Sequence, residues 1–364
     1  MRTYMNLEPC DYLEQSTPLT CRVSVIIKAL NEEARIEETI ASALRAVALV
    51  SGEVILADSC STDRTVALAQ SYPIRIVQLA HAHERCCGAG PQLGYQHSRG
   101  EFIYILDGDM QMMDGFLSQA LAFMLLHPDV AGVGGRVVEK NTHSLEFVAR
   151  SERMSAHMSP GRVDRLDGGA LYRRSAIEAT GYFSNRNLHS YEEYDLAIRL
   201  HALDWKLWRL PADAVCHYGH DEPPYQLLMR RWNSGYICGL GELVRASFGQ
   251  NRLLLIAYGL RELHLYAAVL IWWCVLVSVL FWPIALSLKV GVFCALFAAP
   301  FALMTLRKRS LSKALYAVVS WCFNAAGTVR GMLAHQRPTH EIISSRIIQD
   351  ASNVLPNSLS GVQH

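Results

Sequence analysis

From Leu265 to Leu306 the chain runs for 42 residues with one charged side chain, Lys289. A stretch so apolar must be buried in protein or in lipid, and about 20 such residues in a helix cross a bilayer. Leu265–Leu288 meets that length, and the 17 residues Val290–Leu306, interrupted by Pro300, approach it. The pattern predicts a helical hairpin, 265–288 and 290–306, turning near Lys289-Val290-Gly291. Both open ends are expected on the cytoplasmic side, because Arg307-Lys308-Arg309 stand at the exit. The competing solution is a buried helical pair in a soluble domain. A further segment, apolar from Ala314 to Val329 and helical to about 333, carries Asn324 and meets Arg330. It can span, lie in the interface or pack on the hairpin.

The first 250 residues follow a different rule. Four strand-length apolar runs, "RVSVII" (Arg22–Ile27), "EVILA" (Glu53–Ala57), "IRIVQL" (Ile74–Leu79) and "FIYIL" (Phe102–Leu106), are each followed by helix-like sequence. After the first, Ile36, Ile40, Ala43, Leu44 and Val47 recur at helical spacing. Strand alternating with helix predicts an α/β, Rossmann-like fold, a mostly parallel sheet with helices on both faces, followed by C-terminal membrane helices. The net charge of +1 offers no field for nucleic acid, and ten scattered cysteines without a C-x-x-C pair argue against zinc and disulfides. They fit a reducing cytoplasm, and "MRTYMNLEPCDYLEQ" lacks the apolar core of a signal peptide, so none is expected.

Ligands of such sheets bind at the carboxyl ends of the strands. Asn31-Glu32 follow the first run, Asp58 the second, and Asp107-Gly108-Asp109 the fourth. There is no G-x-G-x-x-G after the first run and no G-x-x-x-x-G-K-[ST], so phosphates need another counter-charge. Two carboxylates one residue apart suit Mg²⁺ or Mn²⁺, which bridges protein oxygens to a diphosphate. An ordinary Asp-Gly turn is the plain alternative. An EF-hand is excluded, since Gln111 stands at position five of the loop and no Gly follows it.

The blocks "VSVIIKALNEEARIEETIASAL", "ILADSCSTDRTVALA", "GEFIYILDGDM", "DGGALYRRSAIEATGYF" and "EEYDLAIRLHALDWKL" resemble, in order, family 2 glycosyltransferases of the GT-A fold. The resemblance covers about residues 21–235 and gives a 1–20 extension, a 21–250 catalytic domain, a 251–340 membrane-associated region and a 341–364 tail. It implies inverting transfer from a nucleotide-diphospho-sugar, a UDP-sugar favoured, with a divalent metal. Ala29, Asn31, Glu32 and Asp58 would line the nucleotide pocket, with Asp58 facing the base. Asp107 would lie near the ribose and donor sugar, Asp109 would bind metal, and Asp107 is a second metal candidate. Where the family often has Pro and an aromatic, this chain has Lys28-Ala29-Leu30, and "RCCGAGPQLGYQ" replaces an expected Arg-Asn, leaving Arg85 to reach the nucleotide. Leu228 in "LMRRW" stands where processive enzymes carry Gln, which favours one sugar per encounter.

Inverting transfer needs a base for the acceptor hydroxyl. By match to the family's acidic pair that base is Glu193, with Glu192 as fallback, at the head of a helix whose Leu196, Leu200 and Leu203 share a face. Locally, Ser190-x-x-Glu193 is also a capping box worth about 1 kcal/mol. His217 or His220 would complete the metal shell, or either is simply structural. Gly168-Gly169 permit close approach to a sugar, and Asp167 is a candidate donor or acceptor contact. Arg230-Arg231-Trp232, on an amphipathic basic helix, is a candidate for the membrane surface or merely a solvated face.

The resulting expectation is a membrane-anchored glycosyltransferase that uses a lipid-linked or other glycan acceptor in surface-glycan synthesis. The alternatives are a polyprenyl-phosphate glycosyltransferase, a Mg²⁺-dependent phosphotransferase and an inactive transferase-like subunit.

Overall fold

The computed structural model describes residues 22–140, 158–219, 222–248 and 252–351. The four apolar runs form parallel strands β1 (Val23–Ala29), β2 (Gly52–Asp58), β3 (Arg75–Leu79) and β4 (Phe102–Asp107), in spatial order β3-β2-β1-β4. Such strands cannot leave a face in water, and both faces are covered. Val23, Val25 and Ile27 enter one core with helices α1 (Ile36–Ala48) and α4 (Phe116–Leu126). Ile26 enters the other, with α3 (Ala89–Gln96), α5 (Arg174–Ala179) and α6 (Glu192–His201). On α1 the predicted stripe is the buried one: Ile36, Ile40, Ala43 and Val47 are covered and Leu44 partly so. A short helix, α2 (Thr65–Ala69), joins β2 to β3.

The second half of the sheet is mixed. β4 pairs antiparallel with β8 (Ala170–Arg173), and β8 antiparallel with β6 (Val130–Glu139). β6 runs parallel to β9 (Lys206–His217), which also takes β5 (Met110–Met112) and β7 (Gly161–Val163) antiparallel. The turn at Gly108-Asp109 thus sends the chain from β4 across to β9.

Beyond the sheet come α7 (Pro224–Asn233), α8 (Gly239–Ala246), α9 (Arg252–Gly259), α10 (Arg261–Val279), α11 (Leu286–Lys308) and α12 (Leu311–Leu333). Among the described helices, α10 and α11 are long and apolar enough to cross a membrane, and their most apolar windows are 11% and 0% buried. The buried-pair alternative is therefore not what the fold adopts. The hairpin turns at residues 280–285, not at Lys289. Pro283 has no N–H to continue α10, whereas Lys289 lies in the first turn of α11 and its Nζ donates to Leu280 O (3.0 Å) at the end of α10.

α12 packs rather than standing free, burying Ala314, Val318, Ala325, Gly327, Thr328 and Gly331. Its backbone touches that of its neighbours because glycine lies on both sides. A Cβ at Gly331 would fall 2.1 Å from Cys238 O, and one at Gly241 would fall 1.8 Å from Thr328 O. Gly291, on α11, has nothing within 4 Å of such a Cβ. The same substitution should therefore act in opposite directions. Gly331→Ala is expected to destabilise the detergent-purified protein by about 1–3 kcal/mol through overpacking, whereas Gly291→Ala should be neutral or stabilise it by up to about 1 kcal/mol. Thermal melts of the two variants compare them directly.

The expected tail corrects in one respect. Ser345–Gln349 form β10, antiparallel to β3, closing that edge of the sheet.

Candidate active site

Parallel strands in register end level with one another. Across β1 the Cα partner of Lys28 is Asp107, and that of Ala29 is Asp58. Neighbours in such a pair point to the same face, so Lys28 and Asp107 meet by backbone geometry. Lys28 Nζ lies 3.0 Å from Asp107 Oδ1, 3.2 Å from Glu192 Oε1 and 3.5 Å from Glu193 Oε1. Asp107 Oδ1 is otherwise buried and makes no aligned hydrogen bond, so it meets the ammonium as a charge. Burial opposes the ammonium, but attraction by Asp107, Glu193 and Glu192 outweighs it and holds the Lys28 pKa well above the ordinary range.

The acidic pair opens α6. Its N-cap is Tyr191, in the left-handed region at φ 68°, and no side chain caps the helix. Ser190 Oγ donates instead to Tyr236 O (2.9 Å), so the capping-box alternative for Ser190 and Glu193 is not realised. Leu196 and Leu200 are buried, but α6 ends at His201 and Leu203 is 48% exposed. Behind the pair lies a cavity of about 20 Å³, walled by Ile105, Tyr172, Phe183 and Leu196. Burial there, then repulsion from Glu192, raises the Glu193 pKa to about 7 against the pull of Lys28. A carboxyl poised near neutrality can accept a proton from a hydroxyl.

At the next strand end Asp58 is fully buried. Its Oδ2 accepts from Ser61 N (2.9 Å) and Gln78 Nε2 (2.8 Å), while Oδ1 is buried with no partner, an acceptor suited to a ligand N–H. The other candidates knit the loops around it. Ala29 O accepts from Ser59 N (2.9 Å), and Asn31, at φ 59°, accepts from Thr62 N through Oδ1 (2.8 Å). Glu32 N donates to Thr65 Oγ1 (2.8 Å). Arg85 donates to Ser59 O (2.8 Å) and Cys60 O, so its guanidinium shapes the loop after Asp58. Gly168 stands over the other carboxylate, where a Cβ would lie 3.3 Å from Asp107 Oδ2, and Gly169 takes φ +82°, a glycine conformation. Asp167 ion-pairs with the buried Arg209 (3.0 Å).

β5 and β9 bring Asp109 to His217. Asp109 Oδ2 lies 3.2 Å from His217 Nε2, and Glu139 Oε1 lies 2.7 Å from Nδ1. Burial pulls the imidazole pKa down, but hydrogen bonds to Asp109 and Glu139, and their charges, hold it at about 10. An imidazolium between two carboxylates sits where a metal cation would also be held. The donor set fits a divalent ion: a carboxylate and a ring nitrogen face one another, with a second carboxylate orienting the ring. Among the described residues no group of three or more His, Cys, Asp or Glu encloses an ion alone, so a bound ion would complete its shell from its ligand. Asp107 turns to Lys28 rather than to His217. His220 lies outside the described residues.

The basic segment lies on α7. Arg230 pairs with Glu222 (2.8 Å), Arg231 lies over the Tyr236 ring, and Trp232 packs edge-on to Phe323 of α12 (5.5 Å). Sequence reasoning passed over Lys28 and Glu139 as site residues. The signal for Lys28 was available, a charge near the exit of a buried apolar run, whereas Glu139 is set beside His217 only by strand pairing.

Residues 24–181 match the family model described as Glycosyl transferase family 2. Asn31 through Gly169 lie inside the matched span, and Glu192, Glu193 and His217 lie beyond it. Among curated relatives, the putative glycosyltransferase EpsE of Bacillus subtilis is 29% identical over 190 residues, covering 49% of this chain and 66% of that protein. The succinoglycan biosynthesis protein ExoO of Rhizobium meliloti is 30% identical over 145 residues, covering 40% of each. The chain therefore spans just under two thirds of one relative and well under half of the other. A solved mannosyltransferase from Pyrobaculum calidifontis, in complex with GDP-Man and Mn²⁺, shares the fold at a TM-score of 0.56 and 18% identity, over 86% of this chain and 87% of that one.

Proposed function

We propose that this chain is a membrane-anchored, inverting glycosyltransferase. It moves one sugar per encounter from a nucleotide-diphospho-sugar to a lipid-linked acceptor in surface-glycan synthesis. The observation that carries the proposal is the convergence of a strand-end carboxylate, Asp107, and a helix-borne acidic pair, Glu192 and Glu193, on one lysine nitrogen. Donor side and base side of a displacement then share one small volume. The relative named for succinoglycan biosynthesis, the relative named a putative glycosyltransferase and the mannosyltransferase neighbour in complex with GDP-Man and Mn²⁺ support the reaction class.

In this assignment Asp58 receives the base and Asp107 the ribose and donor sugar. Asp109 and His217 would hold a divalent cation, which supplies counter-charge to the departing diphosphate. Glu193 takes the acceptor hydroxyl proton as that oxygen bonds to the anomeric carbon. The bond to the diphosphate breaks on the opposite face, and the configuration inverts. The apolar hairpin, facing outward, supports a tether that keeps a water-soluble donor and a lipid-borne acceptor at one surface.

A base with a pKa raised to about 7 predicts a pH limb. Below it Glu193 is protonated and cannot accept, so kcat/KM should rise about tenfold per unit up to pH 7 and level off above. A profile flat from pH 5 to 8 would take the role from Glu193.

The test of the assignment is thermal stabilisation of the detergent-purified protein by UDP, GDP and dTDP, each with Mn²⁺ and with EDTA. Ligand at about 100 times its Kd adds about 2.7 kcal/mol. One nucleotide shifting the melt only with metal is the expected result and identifies the donor. No shift with any of the three counts against the proposal.

A further inference from the structure

We infer that Lys28 is a positioning residue of the transfer step, whose single ammonium fixes the spacing between the base carboxylate of Glu193 and the donor-side carboxylate of Asp107. The inference rests on the transferase proposal above. Asp107 comes from β4, and Glu192 and Glu193 come from α6, two elements far apart in the chain. Lys28 reaches all three, at 3.0, 3.2 and 3.5 Å.

Its own place is fixed. Lys28 O accepts from Gly108 N (2.9 Å), which locks the strand to the Asp107 turn, and its side chain is 17% exposed. α3 presses on its stem, since a Cβ at Gly90 would lie 3.2 Å from Lys28 Cβ. The ammonium donates to Glu192 Oε1 and faces Asp107 and Glu193 as a compact charge, so three carboxylates stand around one cation. Arginine's planar fork cannot address three separate acceptors in the same way. Without the cation, three nearby carboxylates repel one another, and no counter-charge bridges the side chains of Asp107 and Glu193.

The experiment compares wild type with Lys28→Met, Lys28→Arg and the double variant Lys28→Met/Glu192→Gln, which carries one carboxylate fewer should the single variant not fold. Steady-state kinetics are measured with sugar donors of the nucleoside diphosphate that stabilises the wild type in Mn²⁺, and melting with and without that nucleoside diphosphate checks each fold. Misplacing reacting groups by about 1 Å costs on the order of 100-fold, so Lys28→Met and the double variant should each lose about 100-fold in kcat with donor KM within about threefold. Lys28→Arg should recover part of that loss. An unchanged kcat in folded Lys28→Met overturns the inference, as does a rise in KM alone, which would make Lys28 a donor contact. Arginine no better than methionine at equal stability also overturns it. A wild type without donor-dependent turnover removes the transferase proposal instead, and this inference with it.

Discussion

Glu193→Gln is expected to lower turnover by a factor of about 10²–10⁴ while Mn²⁺-dependent nucleotide binding stays within a few-fold of wild type. The amide keeps the size and the helix position but cannot accept a proton from a hydroxyl. Glu193 also owes little to helix capping, because α6 is capped by no side chain and Ser190 is bonded to Tyr236 O. A structural account of Glu193 therefore predicts a change in melting temperature, and the catalytic account predicts almost none. Removing one negative charge from the cluster around Lys28 should, if anything, ease repulsion with Glu192. Near-wild-type turnover in Glu193→Gln would move the base role to Glu192, whose carboxylate lies 3.2 Å from the same ammonium.

Asp109→Ala is expected to abolish the part of nucleotide stabilisation that EDTA removes from the wild type. Asp109 is buried, faces His217 at 3.2 Å and sits on the turn that carries the chain from β4 to β5. Without it His217 still pairs with Glu139, but a cation loses its carboxylate and the imidazole loses one of the groups that keep it protonated. A diphosphate then has no metal to bind through, and the loss should approach the full ligand-induced shift, about 2.7 kcal/mol at 100 times Kd. Calorimetric titration with Mn²⁺ and nucleotide measures the same loss directly. Metal-dependent binding that survives in Asp109→Ala would place the ion elsewhere.

How much of this is legible in the sequence depends on distance along the chain. β1 to β4 and α1 are local patterns, runs of β-branched residues or an apolar stripe, and those patterns are what the core buries. Asp58, Asp107 and Asp109 are legible for the same reason, since a strand's last residue names its exit. The Lys28–Asp107 contact depends on register between β1 and β4, and the Glu139–His217 contact on pairing between β6 and β9, which composition does not specify. The hairpin turns before Lys289 although that residue is the one charge in the apolar run. The proline six residues earlier is the stronger terminator, and the lysine reaches back to a carbonyl. The Ser190 capping box fails because α8 and the turn before it claim the segment first: Glu242 binds His189 N (2.9 Å) and Nδ1 (2.8 Å).

Past α12 the chain returns to the sheet. Arg337 bonds to Asn187 and Glu84, Arg186 Nη1 donates to Glu341 O (3.0 Å), Ile343 N donates to Gln96 Oε1 (2.9 Å), and β10 then lines β3. The apolar hairpin is therefore an excursion within the catalytic fold and not a trailing appendage, stitched in at both seams. A shortened chain ending before α10, made for convenience of handling, would lose the outermost strand together with the hairpin. It would bare the backbone of β3 as an open edge that invites chain-to-chain pairing. A version of this protein without the hairpin must bridge α9 to α12 with a linker and keep α12 and everything that follows.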